Sequence, residues 1–228
     1  MTKPQIILPH GGYQNLLAYQ KSEIIYQGTV VFCNRFLNAA KDRTVDQMVQ
    51  AARSCKQNIV EGSEASATSK ETEIKLTNVA RASLGELLAD YCDYTVSHRL
   101  ELWTANSPQN RQIRDIARSL TSWEQWREHF LQNDAKTLCN TQVTLIHQAQ
   151  YLLERLLASQ EASFRQNGGI RERMNAVRNE TRGNGWEPAV FSYLQNANSA
   201  TELENRIAQI QQKVFRDCKT IKRQKGWE

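Results

Sequence analysis

The stretch that decides the fold is Arg53–Leu87, which is RSCKQNIVEGSEASATSKETEIKLTNVARASLGEL. Its first part has the apolar spacing of a helix that ends near Gly62. Its second part, from Thr68, has the spacing of a longer helix. Polar residues lie beside the apolar ones on both predicted helices, at Asn58, Glu61, Ser83 and Glu86. Two amphipathic helices joined by a short polar turn predict a helical hairpin within a larger helical protein.

The rest of the chain extends this pattern. Apolar residues recur every three or four positions, while Gly, Pro and alternating β-branched residues are scarce, so we predict an all-α protein. The first long helix is predicted over Asn15–Ala39 and the second over Thr44–Gly62. The third begins at Thr68, and the last begins after Asp134. Four rods of similar length predict an antiparallel up-down four-helix bundle.

Local signals set the predicted helix ends. At the predicted starts of the second and third helices, Thr44–Gln47 and Thr68–Glu71 have the spacing of a capping box, with Thr followed three residues later by Gln or Glu. Gly62 is predicted to end the second helix in the left-handed conformation. Ser107 followed by Pro108 starts one further helix, 109–131, which we expect to be inserted between the third and fourth helices of the bundle.

Residues 168–228 differ in charge from the rest. Residues 1–167 hold 18 Lys/Arg against 17 Asp/Glu, whereas 168–228 hold 11 against 7, so most of the net charge of +5 lies in the tail. Two glycines, Gly168 and Gly169, mark the predicted boundary between a bundle domain, 1–167, and a basic helical suffix, 168–228. The suffix starts with a basic helical turn over Ile170–Arg182.

The last predicted helix, from Ser199 to Glu228, has a narrow apolar seam over Leu203–Ile221. A seam this narrow is typical of a coiled coil, so it predicts a partner helix from this chain or another. The basic residues either bind phosphates or form a solvated helix face. Those expected to contact nucleic acid are Arg165, Arg171, Arg173, Arg178, Arg182, Lys213, Arg216, Lys219, Lys222, Arg223 and Lys225.

Composition narrows the function classes. The sequence contains no apolar run long enough to cross a membrane and no signal-peptide pattern at its start, so we expect a cytoplasmic protein that does not enter membranes. The five cysteines are scattered and include no CxxC pair. We therefore expect them to be small hydrophobic residues between helices, with no metal site and no cofactor.

A search for catalytic patterns finds little. Di-iron bundles need Glu-x-x-His on two helices, but Ile7, Thr95, Trp126 and Thr144 stand three residues before the four histidines. No glycine-rich phosphate loop is present either. His147 lies among apolar neighbours, where a buried histidine bonded to another helix is expected, with a general base or ligand as the alternative.

The polar residues of the opening stretch have two interpretations. Buried polar groups must be satisfied, so a structural network between the second and third helices is expected. A catalytic pair of carboxylates is the alternative. The predicted network contains Asn58, Glu61, Ser83, Glu86 and His147.

Several segments resemble one bacterial family of four-helix bundles, whose founding members are encoded by intervening sequences in large-subunit ribosomal RNA genes. The Asn-Ile-x-Glu-Gly turn at Asn58–Gly62 and the Ala-Arg-x-Ser-Leu-x-Glu-Leu stretch at Ala80–Leu87 carry the resemblance. LIHQAQYLLERLL at Leu145–Leu157 and GGIRERMNAVR at Gly168–Arg178 are similar to a subgroup with a C-terminal suffix domain. The helix from Ser199 lies beyond the resemblance.

The resemblance implies a homo-oligomer that associates with nucleic acid and has no established catalytic residue. A distant relative of that family, the accessory protein of diversity-generating retroelements, is a basic homopentamer that binds nucleic acid, which makes a pentamer of this chain one expectation. Three hypotheses remain open. They are a non-enzymatic accessory protein bound to RNA or DNA, a scaffold without nucleic acid, and an enzyme that joins His147 to the Glu61/Glu86 cluster.

Overall fold

The computed structural model describes residues 11–38 and 40–183, together with positions 202, 204, 205, 208 and 209. The described residues form helices and the segments that join them, without strands, which confirms the all-α prediction. A short 3-10 helix, Tyr13–Asn15, comes first. The α-helices are α1 Leu17–Phe36, α2 Thr44–Ala65, α3 Lys70–Ser97, α4 Pro108–Ser119, α5 Trp123–Gln132, α6 Ala135–Asn167 and α7 Ile170–Gly183.

The chain divides after Ile170 into two compact units. We call the first, Ile7–Ile170, the helical unit. Within it α2 packs against α3 and α1, and α6 packs against α3 and α1, while α5 contacts α1 and α4 contacts α6. Most of α7 belongs to the second unit. No described helix has both the length and the apolar character needed to cross a membrane.

The predicted helix starts are right at two sites. Ser107 caps α4 by accepting a hydrogen bond from the Asn110 amide, with Pro108 at the first helical position. Asp134 caps α6 by accepting from the Thr137 amide at 2.8 Å. These short polar side chains satisfy amides that have no partner inside the helix. Gly168 ends α6 with φ 62°, a left-handed value that glycine adopts readily.

Both predicted capping boxes are wrong in detail. At α2 the Asp42 carboxylate, rather than Thr44, accepts the hydrogen bond, from the Thr44 amide at 2.9 Å. At α3 the cap is Ser69, whose hydroxyl accepts from the Thr72 amide at 3.1 Å. At α3 the cap lies one residue later than predicted, and at α2 the carboxylate two residues before the helix binds its first amide, because several polar residues precede each helix and local spacing does not rank them.

The predicted helix end at Gly62 is also wrong, since α2 continues through Gly62 to Ala65. Gly62 is buried there, and a Cβ atom on it would lie 3.4 Å from the Glu73 carbonyl oxygen and from Leu76 Cβ. The glycine therefore lies at a close contact with α3 instead of ending the helix. The second helix therefore ends three residues later than predicted.

The inserted helix predicted over 109–131 is two helices, α4 and α5, separated at Leu120–Ser122. Ser122 and Gln125 form a capping box that starts α5 anew. The break allows the apolar side of α5 to face the core, where Trp126 and Phe130 are almost fully buried. The Trp126 indole N–H donates to the Leu120 carbonyl at 3.2 Å and so holds the turn.

The core contains a buried polar connection beside one glycine of α1. The Gln142 side-chain amide, on α6, donates to the Ile25 carbonyl at 3.0 Å and to the Thr29 hydroxyl at 3.3 Å. The Tyr91 hydroxyl, on α3, donates to the same Thr29 oxygen at 3.1 Å. A Cβ atom on Gly28 would lie 2.5 Å from Phe130 Cε1 and 2.6 Å from the Gln142 amide nitrogen. Glycine at position 28 is thus required for α5 and α6 to approach α1.

Replacing Gly28 tests this contact. We expect Gly28→Ala to lower the free energy of unfolding by about 1–3 kcal/mol, because the buried Phe130 ring and the Gln142 amide must move aside. Urea denaturation followed by circular dichroism measures it.

The matched control is Gly85→Ala on α3, where an added Cβ atom meets nothing within 4 Å. There alanine is expected to stabilise the helix by roughly 0.5–1 kcal/mol, since it loses less backbone entropy on folding. Equal effects at the two positions would contradict the close contact at Gly28.

Candidate functional sites

The arginines predicted to bind nucleic acid are placed by α6 and α7. Arg165 is exposed in the last turn of α6. On α7, Arg171 and Arg178 are exposed and Arg173 is half-buried. The backbone of Arg182 lies in the last turn of the same helix.

The spacing of the α7 arginines places them on one face. At 3.6 residues per turn, Arg178 is about 20° from Arg171 around the helix axis, and position 182 is about 20° on the other side. Glu172 and Glu180 lie about 100° and 180° from Arg171. We call the positions of Arg171, Arg178 and Arg182 the arginine face. Neither of the two glutamates of α7 lies on this face.

The remaining predicted nucleic-acid contacts lie outside the described residues: Lys213, Arg216, Lys219, Lys222, Arg223 and Lys225. The apolar seam over Leu203–Ile221 also falls there, apart from the positions 204, 205, 208 and 209.

The predicted polar network between α2 and α3 is present in part. The Asn58 amide donates to the Ser54 carbonyl at 2.8 Å and to the Ser54 hydroxyl at 3.1 Å. The Ser54 and Ser83 hydroxyls lie 3.0 Å apart, and Ser83 also donates to the Val79 carbonyl. Ser54 was not predicted, although it lies four residues before Asn58 on the same helix face. The three side chains find hydrogen-bond partners in one another and in nearby backbone carbonyls, as a structural contact requires.

The other three predicted members are not joined to this network. Glu61 on α2 and Glu86 on α3 are exposed. His147 is exposed on α6, contrary to the expectation that it is buried. Its apolar neighbours Leu145 and Ile146 do face the core, but successive helix positions are 100° apart, so a neighbour in sequence is not a neighbour in space. The structure therefore does not bring His147 together with Glu61 and Glu86 through hydrogen bonds.

A second buried cluster joins α3 to α6. The Gln160 side-chain amide donates to the Thr77 hydroxyl at 3.0 Å and to the Glu73 carboxylate at 3.3 Å. Lys70 forms an ion pair with Glu73 at 2.7 Å. A buried carboxylate is costly unless it is paired and hydrogen-bonded, and both conditions are met here. The cluster is a structural contact that the sequence did not reveal, because its members are spread over 90 residues.

Three of the four cysteines in the described region are core residues, and the fourth, Cys92, is half-buried. Cys33, Cys55 and Cys139 are buried in the core. Burial raises the pKa of each of these thiols to about 12. They therefore stay protonated, which makes them poor nucleophiles and poor metal ligands. In the described ranges, His, Cys, Asp and Glu residues do not gather in groups of three or more that could hold a metal ion.

Lys21 is the functional candidate that sequence reasoning missed. It lies on α1 with only 7% of its surface exposed, and its ammonium donates to the Ala117 carbonyl near the end of α4. The last four carbonyls of a helix have no partner within it, and a cation is favoured there, so Lys21 caps α4. Burial lowers the pKa of Lys21 to about 8.

Comparisons with protein-family models, with curated proteins and with solved structures find no match.

The titration of Lys21 can be measured directly. We expect its side-chain nitrogen to titrate near pH 8, because the charged form is poorly solvated, while exposed lysines titrate near 10.4. Heteronuclear NMR of the lysine Cε–Nζ groups from pH 6 to 11 measures it, with Lys21→Met assigning the signal. A Lys21 signal that titrates near pH 10.4 would contradict the burial.

Proposed function

We propose that the protein is a non-enzymatic accessory protein that binds nucleic acid as a homo-oligomer. The arginine face of α7 is the observation that carries this proposal. Within it, Arg171 and Arg178 supply exposed guanidinium groups, and arginine is suited to phosphate because its planar fork donates two parallel hydrogen bonds. The basic segment 213–225 extends the same chemistry in sequence.

The spacing along the axis of α7 fits a nucleic-acid backbone. Arg171 and Arg178 are seven residues apart, or about 10 Å at a rise of 1.5 Å per residue. That distance is roughly three nucleotide steps along one strand at about 3.4 Å each. Contacts of this kind give affinity and orientation without reading the base sequence.

We also propose that α1, α2, α3 and α6 form an antiparallel up-down four-helix bundle. Each of them packs against two of the others, in the order α1, α2, α3, α6 and back to α1. The connection between α2 and α3 is short, as it must be for antiparallel neighbours. The sequence segments that resemble the bacterial family of four-helix bundles support the same arrangement.

A pentamer is one candidate for the size of the homo-oligomer. The Leu203–Ile221 seam is proposed to bind a partner helix. Large apolar side chains are exposed on several helices of the helical unit, among them Val79, Val96, Leu131 and Phe164. Subunit contacts bury such residues. Light scattering coupled to gel filtration is expected to give a mass that is a multiple of 26.2 kDa, and a monomer at micromolar concentration would contradict self-association.

The absence of a catalytic role is part of the proposal. The alternative of a catalytic centre requires His147 beside the Glu61/Glu86 cluster. Both glutamates are exposed and neither takes part in the Asn58–Ser54–Ser83 network, so that alternative has no hydrogen-bonded support.

Fluorescence anisotropy tests the nucleic-acid interface. Labelled single-stranded RNA, duplex DNA and an RNA–DNA hybrid are titrated with the full-length protein between about 50 and 300 mM salt. We expect binding whose logarithm falls linearly with the logarithm of salt concentration, because phosphate contacts release counterions. Arg171→Glu/Arg178→Glu is expected to weaken binding at least tenfold and to reduce the slope by about two.

The matched control is Lys75→Glu/Arg81→Glu, which makes the same charge change at exposed positions on α3. It keeps the overall charge of the α7 variant but leaves the arginine face intact. Equal loss of affinity in the two variants would show a non-specific charge effect and contradict the interface on α7. An oligomer that binds none of the three nucleic acids at the lowest salt would favour the scaffold hypothesis.

A further inference from the structure

A cavity in the helical unit has the size of a small-molecule site. Its volume is about 580 Å³, and α1, α4 and α6 form its walls. Ligand cavities in proteins commonly measure about 300–1,000 Å³. None of the arginine-face residues lines it, so it is separate from the nucleic-acid interface proposed above.

The charge of the cavity has one sign. Lys21 from α1 and Arg114 and Arg118 from α4 line it, and no Asp or Glu is among the lining residues. Arg118 forms an ion pair with the exposed Asp115 at 3.0 Å. Arg114 donates to the Ala105 carbonyl at 2.9 Å. Clefts lined by charges of one sign attract ligands of the opposite sign.

Among the cations of the cavity, Lys21 is the one that an anion would stabilise most. Its hydrogen bond to the Ala117 carbonyl uses one of three N–H donors. A carbonyl carries only a partial charge, so the ammonium remains buried without a full counter-charge among its described hydrogen-bond partners. Burial alone lowers the pKa of Lys21, which shows that its charged form is under-solvated. An anionic ligand within hydrogen-bonding distance supplies the counter-charge and so offsets the free-energy cost of burying the ammonium.

The other part of the wall is apolar. Leu17 from α1 and Tyr151 and Leu152 from α6 line the cavity. Leu17 is 57% exposed and Tyr151 is 59% exposed, which are high values for large apolar residues at a concave site. A ligand that covers them removes apolar surface from water, and this contributes about 25 cal/mol for each Å² buried. The cavity therefore offers a cationic part and a hydrocarbon part side by side.

We propose that this cavity binds a small amphipathic carboxylate, with its acid group at Lys21 and Arg114 and its hydrocarbon body against Leu17, Tyr151 and Leu152. The carboxylate accepts a hydrogen bond from the Lys21 ammonium and one from the Arg114 guanidinium, and both bonds are charge-assisted. The hydrocarbon chain supplies affinity, and the buried cation supplies selectivity for an acid over a neutral ligand of the same length.

Isothermal titration calorimetry with decanoate tests the site, because decanoate has one carboxylate and an unbranched hydrocarbon chain. Decanol is the matched neutral ligand, and decylamine is the matched cation. We expect decanoate to bind to the full-length protein with one site per chain, decanol to bind at least tenfold more weakly, and decylamine not to bind. Equal affinity for decanoate and decanol, or no binding of decanoate, would overturn the proposal.

Variants locate the binding. Lys21→Met and Arg114→Gln are each expected to weaken decanoate binding at least tenfold and to leave decanol binding unchanged. Arg81→Gln, at an exposed position on α3 away from the cavity lining, is the control and should bind like the wild type. Circular dichroism checks that each variant is folded. If Lys21→Met does not fold, Arg114→Gln decides, and unchanged decanoate affinity in that variant would overturn the site.

Discussion

The close approach of α1 to α5 and α6 at Gly28 is the constraint on which the rest of the helical unit depends. A side chain at that position would overlap the Phe130 ring and the Gln142 amide. The approach lets Gln142 reach the Ile25 carbonyl and the Thr29 hydroxyl. A buried amide N–H that lost its acceptors would be costly, so the two hydrogen bonds from the Gln142 amide nitrogen favour one register of α1 against α6.

The same contact extends to α3 and α5. Tyr91 is fully buried and donates to Thr29, which brings a hydroxyl from α3 into the bonds between α1 and α6. Phe130 places α5 over Gly28, and α5 occupies that position only because the chain breaks at Leu120–Ser122. Apolar packing alone tolerates small shifts between helices, whereas these hydrogen bonds do not. The core therefore combines a large apolar area with a few polar contacts that define its alignment.

The sequence predicted the helical class and most long helices, because apolar spacing of three and four residues is a strong local signal. It failed at Gly62, where a glycine was assigned to a helix end but lies in a helix contact. Local sequence does not separate these two uses of glycine. The helix that starts at Ser122 was also missed, since the apolar stripe continues across the break.

The candidate sites also differ in whether local sequence could predict them. The arginine face follows from spacing within one helix, so it was predictable. The cavity around Lys21 was not, because its walls come from α1, α4 and α6 and because a single lysine among apolar residues has no pattern of its own. His147 was assigned to the core from its sequence neighbours, and the structure places it instead on the cavity wall.

The two proposed sites divide the chemistry of the protein between two regions of the chain. The suffix carries the excess positive charge, which suits a phosphate backbone. The helical unit is nearly neutral overall but encloses a local group of cations, which suits a small acid. The total charge of +5 distinguishes neither site, because each is defined by where its cations lie and by which carboxylates are near them.

Native-state hydrogen exchange measures most directly whether the contact at Gly28 holds the helical unit together. If it does, the amides of Thr29, Tyr91 and Gln142 exchange only by global unfolding, with one shared free energy of opening equal to the free energy of unfolding. If α1 instead opens separately, its amides exchange with a lower free energy than those of the α2–α3 pair. That result would contradict the central role of the Gly28 contact.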